Sequence, residues 1–304
     1  MPVDSKICNQ NGLRLDSFVT GAFDSTYSRS FYKRLIDDGK ISVNGTVITK
    51  AGTKLSAGDV VEADIPAPVE DGSFIAQDIP LDIVYEDSDL LVINKPQGMV
   101  VHPAAGHSEG TLVNALLAHC KDDLYDINGV LRPGIVHRID KDTSGLMLAC
   151  KNNFTHLKLA DMLSRHEIVR EYRALVYGFV KEDKGMIDAP VGRASADRRK
   201  MAVVKDGKPA VTHFEVLERY GEISDLKLIL ETGRTHQIRV HMSYIGHPVV
   251  GDPVYASRRK SYGLSGQALH SKAITFVHPR TGETMHFECD LPDYYTAVIN
   301  SFRA

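Results

Sequence analysis

Between Gly134 and Gly145 the chain reads Gly-Ile-Val-His-Arg-Ile-Asp-Lys-Asp-Thr-Ser-Gly, which crowds His137, Arg138, Asp140 and Asp142 into one short loop. A carboxylate can serve as a nucleophile or a base, and a neighbouring rigid cation keeps it ionised. The run Leu146-Met147-Leu148-Ala149-Cys150 that follows has strand length and no polar interruption, the pattern of a strand buried on both faces. A charged loop feeding such a strand sits at the lip of a rigid scaffold, where reacting groups are commonly held. The same composition also describes a solvated turn between two strands. A second cluster shifts the balance toward chemistry: Glu231-Thr-Gly-Arg-Thr-His-Gln-Ile-Arg-Val-His-Met242 is equally rich in rigid donors. Spacing alone does not choose between Asp140 and Asp142.

Elements to position these groups can be read along the chain. Leu13, Leu15 and Phe18 mark a first short helix, and Arg29 to Asp38 a second, with Ser28 as its cap and Gly39 at its stop. Ile41-Ser-Val-Asn-Gly-Thr-Val-Ile48 reads as a hairpin around Asn44-Gly45. Residues 12–65 thus form a small module, and residues 66–78 have linker composition. A larger domain, 79–304, opens with strands near 81–87 and 90–94, and has helices at 111–119 and 157–166. In the strand Val169 to Gly178, Tyr172, Ala174 and Val176 share one face by the period of two. A helix from about Thr235 carries Ile238, Met242 and Ile245 on its buried stripe, and a closing strand pair and a terminal helix follow. Strands outnumber helices and mostly succeed one another, so the expected class is α+β with a large, mainly antiparallel mixed sheet.

The residues Asn94-Lys-Pro-Gln-Gly98, His137-Arg-Ile-Asp-Lys-Asp-Thr-Ser-Gly145, Glu171-Tyr-Arg-Ala-Leu175, Gly207-Lys-Pro-Ala-Val-Thr212, Thr232 to Met242, Leu269-His270 and His278-Pro279 stand in an order that resembles the RluA-type pseudouridine synthases. That family isomerises uridine to pseudouridine in ribosomal RNA. The resemblance implies that Asp140, directly after His-Arg-Ile, is the nucleophile, with Asp142 structural. It implies that Arg239 is the ion-pair partner of Asp140, and that Tyr172 is the tyrosine that stacks on the extruded base. Arg138 would fill the space the base vacates, and Ile274 matches an apolar position beneath it. Whether Asp140 attacks C1′, attacks C6 or removes the 2′ proton is open at this level. The N-terminal helices and hairpin are similar to the alpha-L RNA-binding module of a ribosomal small-subunit protein, with Arg29, Lys33 and Arg34 near one helix face as phosphate contacts. One departure is that Arg170 stands where the family often has lysine. The Arg-Glu-Tyr form, with the N-terminal module, points to the branch acting on large-subunit ribosomal RNA.

Composition fits this expectation with one tension. The 304 residues are 43% hydrophobic and 25% charged, ordinary for a globular protein. The formal charge of -3 and pI near 6.5 lack the basic footprint of a nucleic-acid binder, so the contacts must come from local charge, as in the polar stretch 192–208 with Arg193, Arg198, Arg199 and Lys200. His137, His236 and His241 lack a zinc-helix spacing, the four cysteines form no Cys-x-x-Cys pair, and no phosphate loop or dinucleotide fingerprint occurs. No metal and no cofactor are expected. Neither a signal peptide nor a bilayer-spanning run is evident, so a cytoplasmic monomer acting on RNA, with no membrane partner, is the expectation. Two rivals are a non-catalytic RNA-binding or ribosome-assembly protein and an aspartic protease, the latter suggested by Asp142-Thr-Ser-Gly145. Asp140, Tyr172 and Arg239 together argue against the first. The second needs a paired carboxylate loop that does not recur.

Overall fold

The computed structural model describes residues 4–23, 27, 29–65, 69–70, 75–102, 109–120, 130–131, 134–195, 197 and 200–303. Its centre is the apolar run identified above. Ser144–Cys150 is a strand buried along its whole length. It pairs antiparallel with Leu90–Lys95 on one side and parallel with Leu269–Val277 on the other. The parallel contact is made by Ser144 and Gly145, beside His270 and Ser271. Gly145 has φ +106°, and a Cβ there would fall 2.2 Å from the Ser271 carbonyl oxygen. Only glycine permits so close an approach with that backbone.

The sheet continues from Leu269–Val277 through Val169–Tyr177, Ile223–Leu230, Val211–Arg219 and Lys184–Asp188, and beyond Leu90–Lys95 to Ile83–Glu86. Thr284–Glu288 and Gly134–Ile135 pair alongside. All its other pairings are antiparallel, so the class is α+β with one large mixed sheet. Alternation along the strands splits the apolar residues into two cores. Leu91, Ile93, Met147, Tyr172, Ala174 and Val176 pack with Leu112 and Leu116 of helix Leu112–His119 and with Ile238 and Met242 of helix Gln237–Tyr244. Leu90, Val92, Leu146 and Leu148 pack on the other face with Leu159 and Met162 of helix Asn153–Ser164. Thr111 and Asn114 close a capping box on the first of these helices.

The N-terminal residues have a core of their own, from Cys8, Leu15, Phe18, Phe31, Leu35, Ile41 and Val61. Two helices, Leu15–Ala22 and Arg29–Asp37, lie with a four-stranded sheet. That sheet takes in Asp4–Ile7, a strand ahead of residue 12 that the periodicity did not reveal, because its four residues are all exposed. Asn44 and Gly45 both have positive φ, as the hairpin requires. The Ser28 cap, Arg198, Arg199, and residues 66–68 and 71–74 of the expected linker lie outside the described residues. No helix among the described residues is long and apolar enough to cross a membrane.

Candidate active site

The two charged clusters meet. Arg239, on helix Gln237–Tyr244, donates from Nη1 to Asp140 Oδ2 at 2.9 Å across 99 residues of sequence. Its other edge is held by Asp252, which accepts from Nε at 2.7 Å and Nη2 at 2.9 Å. The face of the guanidinium lies over the Tyr255 ring at 5.3 Å. Burial disfavours a charged Arg239, but the Asp252 bonds and the Asp140 charge outweigh it and raise its pKa. The cation is therefore fixed in charge and orientation before any ligand arrives. Asp140 itself stays partly open, with 17% of its side chain exposed against 5% for Arg239 and none for Asp252.

Its loop is anchored from below by the Asn94 to Gly98 segment. The buried Lys95 ammonium donates to the carbonyls of Pro96 at 2.8 Å, Met99 at 2.9 Å and Lys141 at 3.0 Å. Three acceptors match the three donors of an ammonium, although burial pulls its pKa down to about 7 against the opposing charges of Asp142 and Asp140. Gln97 donates to the Asp142 carbonyl, Gly98 N–H to the Lys141 carbonyl, and Gln267 to Thr143. The second cluster is tied down at Gln237. Thr232 and the Arg234 N–H donate to its carbonyl oxygen, and its amide donates to Val211 O and Thr212 Oγ1. This accounts for the motif ending at Thr212.

Above Asp140 lies a pocket that opens to solvent, about 420 Å³ with its mouth. Tyr172, Ile139, Leu230 and Leu269 give it an apolar wall, and Asp140, Arg239, His236, Arg138, Arg170 and Arg234 its polar groups. Tyr172 is 4% exposed, contacts Ser271, and has its phenol pKa raised by burial, so the ring is neutral. His236 adopts a left-handed backbone (φ 58°) immediately before its helix. Its Nδ1 meets the Tyr255 hydroxyl at 3.0 Å, and its Nε2 stands 3.9 Å from Asp140, beyond hydrogen-bond reach.

Most of the residues singled out in the catalytic domain converge here: Asp140, Tyr172, Arg239 and Arg138 line one pocket. Ile274 does not. By the period of two it shares a face with Phe276, and it packs with Leu90, Val92 and Leu146 in the core on the opposite side of the sheet. Leu269 of the same strand lines the pocket instead. In the N-terminal module Arg29 is bound to the buried Asp16 at 2.7 Å, beside the paired Arg14. Lys33 and Arg34 are exposed on the same helix, Arg34 over the Phe31 ring. Asp252 and Tyr255 were missed, and nothing local flags them beyond a turn-like Gly-Asp-Pro.

The histidines each have separate duties. His137 Nε2 accepts from the Leu148 N–H, and His241 donates to Ala189 O while accepting from Thr212. Among the described residues, one group has metal-ligand spacing, Asp87, Asp89 and His278. It sits at the far end of the strands from Asp140, where Arg280, Asn152 and Tyr85 already occupy its oxygens.

An α+β sheet with a clamped aspartate facing an open cleft is the frame on which known relatives can be placed. Residues 89–244 match the RNA pseudouridylate synthase family, and residues 26–61 match the S4 domain. The chain belongs to the RNA pseudouridine synthase family and is an isomerase of that kind. It is 50% identical, over 97% of its length and 95% of the relative's, to a Bacillus subtilis protein named Uncharacterized RNA pseudouridine synthase YlyB. To the Ribosomal large subunit pseudouridine synthase D of Vibrio parahaemolyticus it is 46% identical, over 97% and 92% of the two chains. Among solved structures, Human RNA Pseudouridylate Synthase Domain Containing 1 superposes with a TM-score of 0.57 at 25% identity, covering 75% of this chain and 97% of that one.

Proposed function

We propose that this enzyme converts specific uridines of large-subunit ribosomal RNA to pseudouridine, with Asp140 as nucleophile on a uridine swung out of its stack. The reaction breaks the N1–C1′ bond and joins C1′ to C5. The C5 proton leaves and N1 gains one, so the change is redox-neutral and needs no water. The supporting observation is the Arg239 bridge: a cation anchored to Asp252 donates to Asp140 at 2.9 Å and leaves that carboxylate facing the pocket. An ion pair preset in this way stabilises the charged nucleophile without reorganisation during the reaction. The neutral ring of Tyr172 is suited to stack on the extruded base. Extrusion costs a few kcal/mol of stacking, and Arg138, exposed at the pocket rim, is assigned to hold the neighbouring bases. Residues 79–304 carry this chemistry. Residues 12–65, joined through 66–78, supply phosphate contacts that position the RNA without taking part in the reaction. The protein is read as a cytoplasmic monomer.

The test is pseudouridine content of transcribed ribosomal RNA, by mass spectrometry, after incubation with each variant. Asp140→Asn should lose at least roughly 10³-fold in rate with an unchanged circular dichroism spectrum, and Asp142→Asn should lose far less. Full activity in Asp140→Asn would sink the nucleophile assignment. Mapping ribosomal RNA from a strain lacking the gene then identifies the uridines.

A further inference from the structure

Arg170 is 5% exposed, yet among the described residues no carboxylate pairs with its guanidinium. Its Nη2 makes one long contact, 3.4 Å, to the Glu231 carbonyl, which already accepts from His166 Nδ1. Its Nη1 lies against Gly233, where an added Cβ would come within 2.8 Å, and its Nε is buried with no partner among the described residues. His137 adds a second orphan. Because its Nε2 accepts from the Leu148 N–H, the neutral ring carries its proton on Nδ1, and that buried atom has no acceptor among the described residues. Buried donors are nearly always satisfied, and a buried cation lacking an anion is costly. Two such groups on one wall indicate an acceptor that arrives from outside.

The location identifies that acceptor. Beside the base pocket opens a larger cavity, about 1160 Å³ with its mouth, to which His102, His137 and His166 contribute. The residues lining both cavities are Arg138, Arg170, Gly233 and Arg234, so the partition is three arginines and a glycine. The carboxylates nearby are engaged, Asp140 by Arg239 and Glu231 by His213 at 2.6 Å. A nucleotide whose base enters the first pocket carries its sugar–phosphate chain over this partition. We propose that Arg170, with Arg138 and Arg234, forms a receptor for one of the two phosphates that bracket the target uridine. Gly233 makes room for the Arg170 fork. This rests on the RNA-modifying reading above but is separable from it. The planar fork suits bidentate recognition of a phosphate, which lysine gives only as a point charge.

The experiment is a cycle on a short stem-loop holding a uridine that the enzyme modifies. One neutral methylphosphonate is placed either 5′ or 3′ of that uridine, and kcat and KM are measured for wild type, Arg170→Gln, Arg170→Lys and Gly233→Ala. A charge-assisted contact predicts that wild type loses on the order of 10- to 100-fold in kcat/KM at one of the two linkages. Arg170→Gln should show that loss on natural RNA, mostly in KM, and no further loss when the same linkage is neutral. Gly233→Ala, which displaces Arg170, should give part of the same pattern. If Arg170→Gln is misfolded by circular dichroism, Arg170→Lys serves in the cycle. The proposal is overturned if both neutral linkages leave wild type unaffected, or if the Arg170 variant and wild type lose equally. Activity in Asp140→Asn would overturn the nucleophile assignment while leaving this cycle intact.

Discussion

Two buried arginines line one pocket and are held in opposite ways. Arg239 has two carboxylates and an aromatic face around it, all supplied by the protein. Arg170, equally buried, has a single long carbonyl contact. Under the proposed function and phosphate receptor, the difference separates two tasks. A charge that must stand beside a reacting carboxylate is compensated in advance, so its position does not depend on ligand. A charge that binds is left incomplete, and the substrate completes it.

The largest test of that contrast is Arg239→Lys. A point charge cannot bridge Asp140 and Asp252 as the fork does, so kcat should fall at least about 100-fold with KM little changed. A large change in KM alone would make Arg239 a binding residue and erase the distinction. Next is Asp252→Ala, which leaves a buried cation with half its compensation. It should cost about 3–5 kcal/mol of stability, read from denaturant unfolding, and lower kcat as well. Stability within about 0.5 kcal/mol of wild type would mean that the clamp is not preset.

A smaller effect is expected at Lys95. Its folded pKa of about 7 lies below its ordinary 10.5, so between those values the unfolded chain binds more protons and this group makes stability rise with pH. Unfolding midpoints at about pH 6.5 and 9.5 should therefore show wild type gaining on Lys95→Met as pH rises. Parallel profiles would mean that the three carbonyls fully compensate the ammonium. The smallest effect belongs to the N-terminal module, where charges are exposed rather than buried. Lys33→Ala with Arg34→Ala should lower the salt slope of RNA affinity by up to about 2 and leave kcat at saturating RNA unchanged. A fall in kcat would draw that module into the active site.

Much of this molecule is legible locally. The central strand, the shared face of Tyr172, Ala174 and Val176, the Asn44-Gly45 hairpin and the helix ending near Gly246 follow from apolar period and turn residues, properties each short segment carries by itself. The motifs also singled out Asp140, Tyr172 and Arg239, which line one pocket, without their geometry. Asp4–Ile7 was not legible, because an exposed edge strand shows no burial pattern. Ile274 misled because an apolar residue at a matching position carries no label for which face of the sheet it joins. That is decided by the register of its strand against Val169–Tyr177, which has a bulge between Glu171 and Tyr172. The sequence by itself determined which segments form strands and helices, and which residues hold reactive groups. Tertiary structure alone decided that Asp252 would clamp Arg239, that Arg239 would reach Asp140 across 99 residues, and that Arg170 would be buried with no carboxylate partner among the described residues. Those outcomes depend on how distant strands register and pack, and no local pattern encodes such contacts.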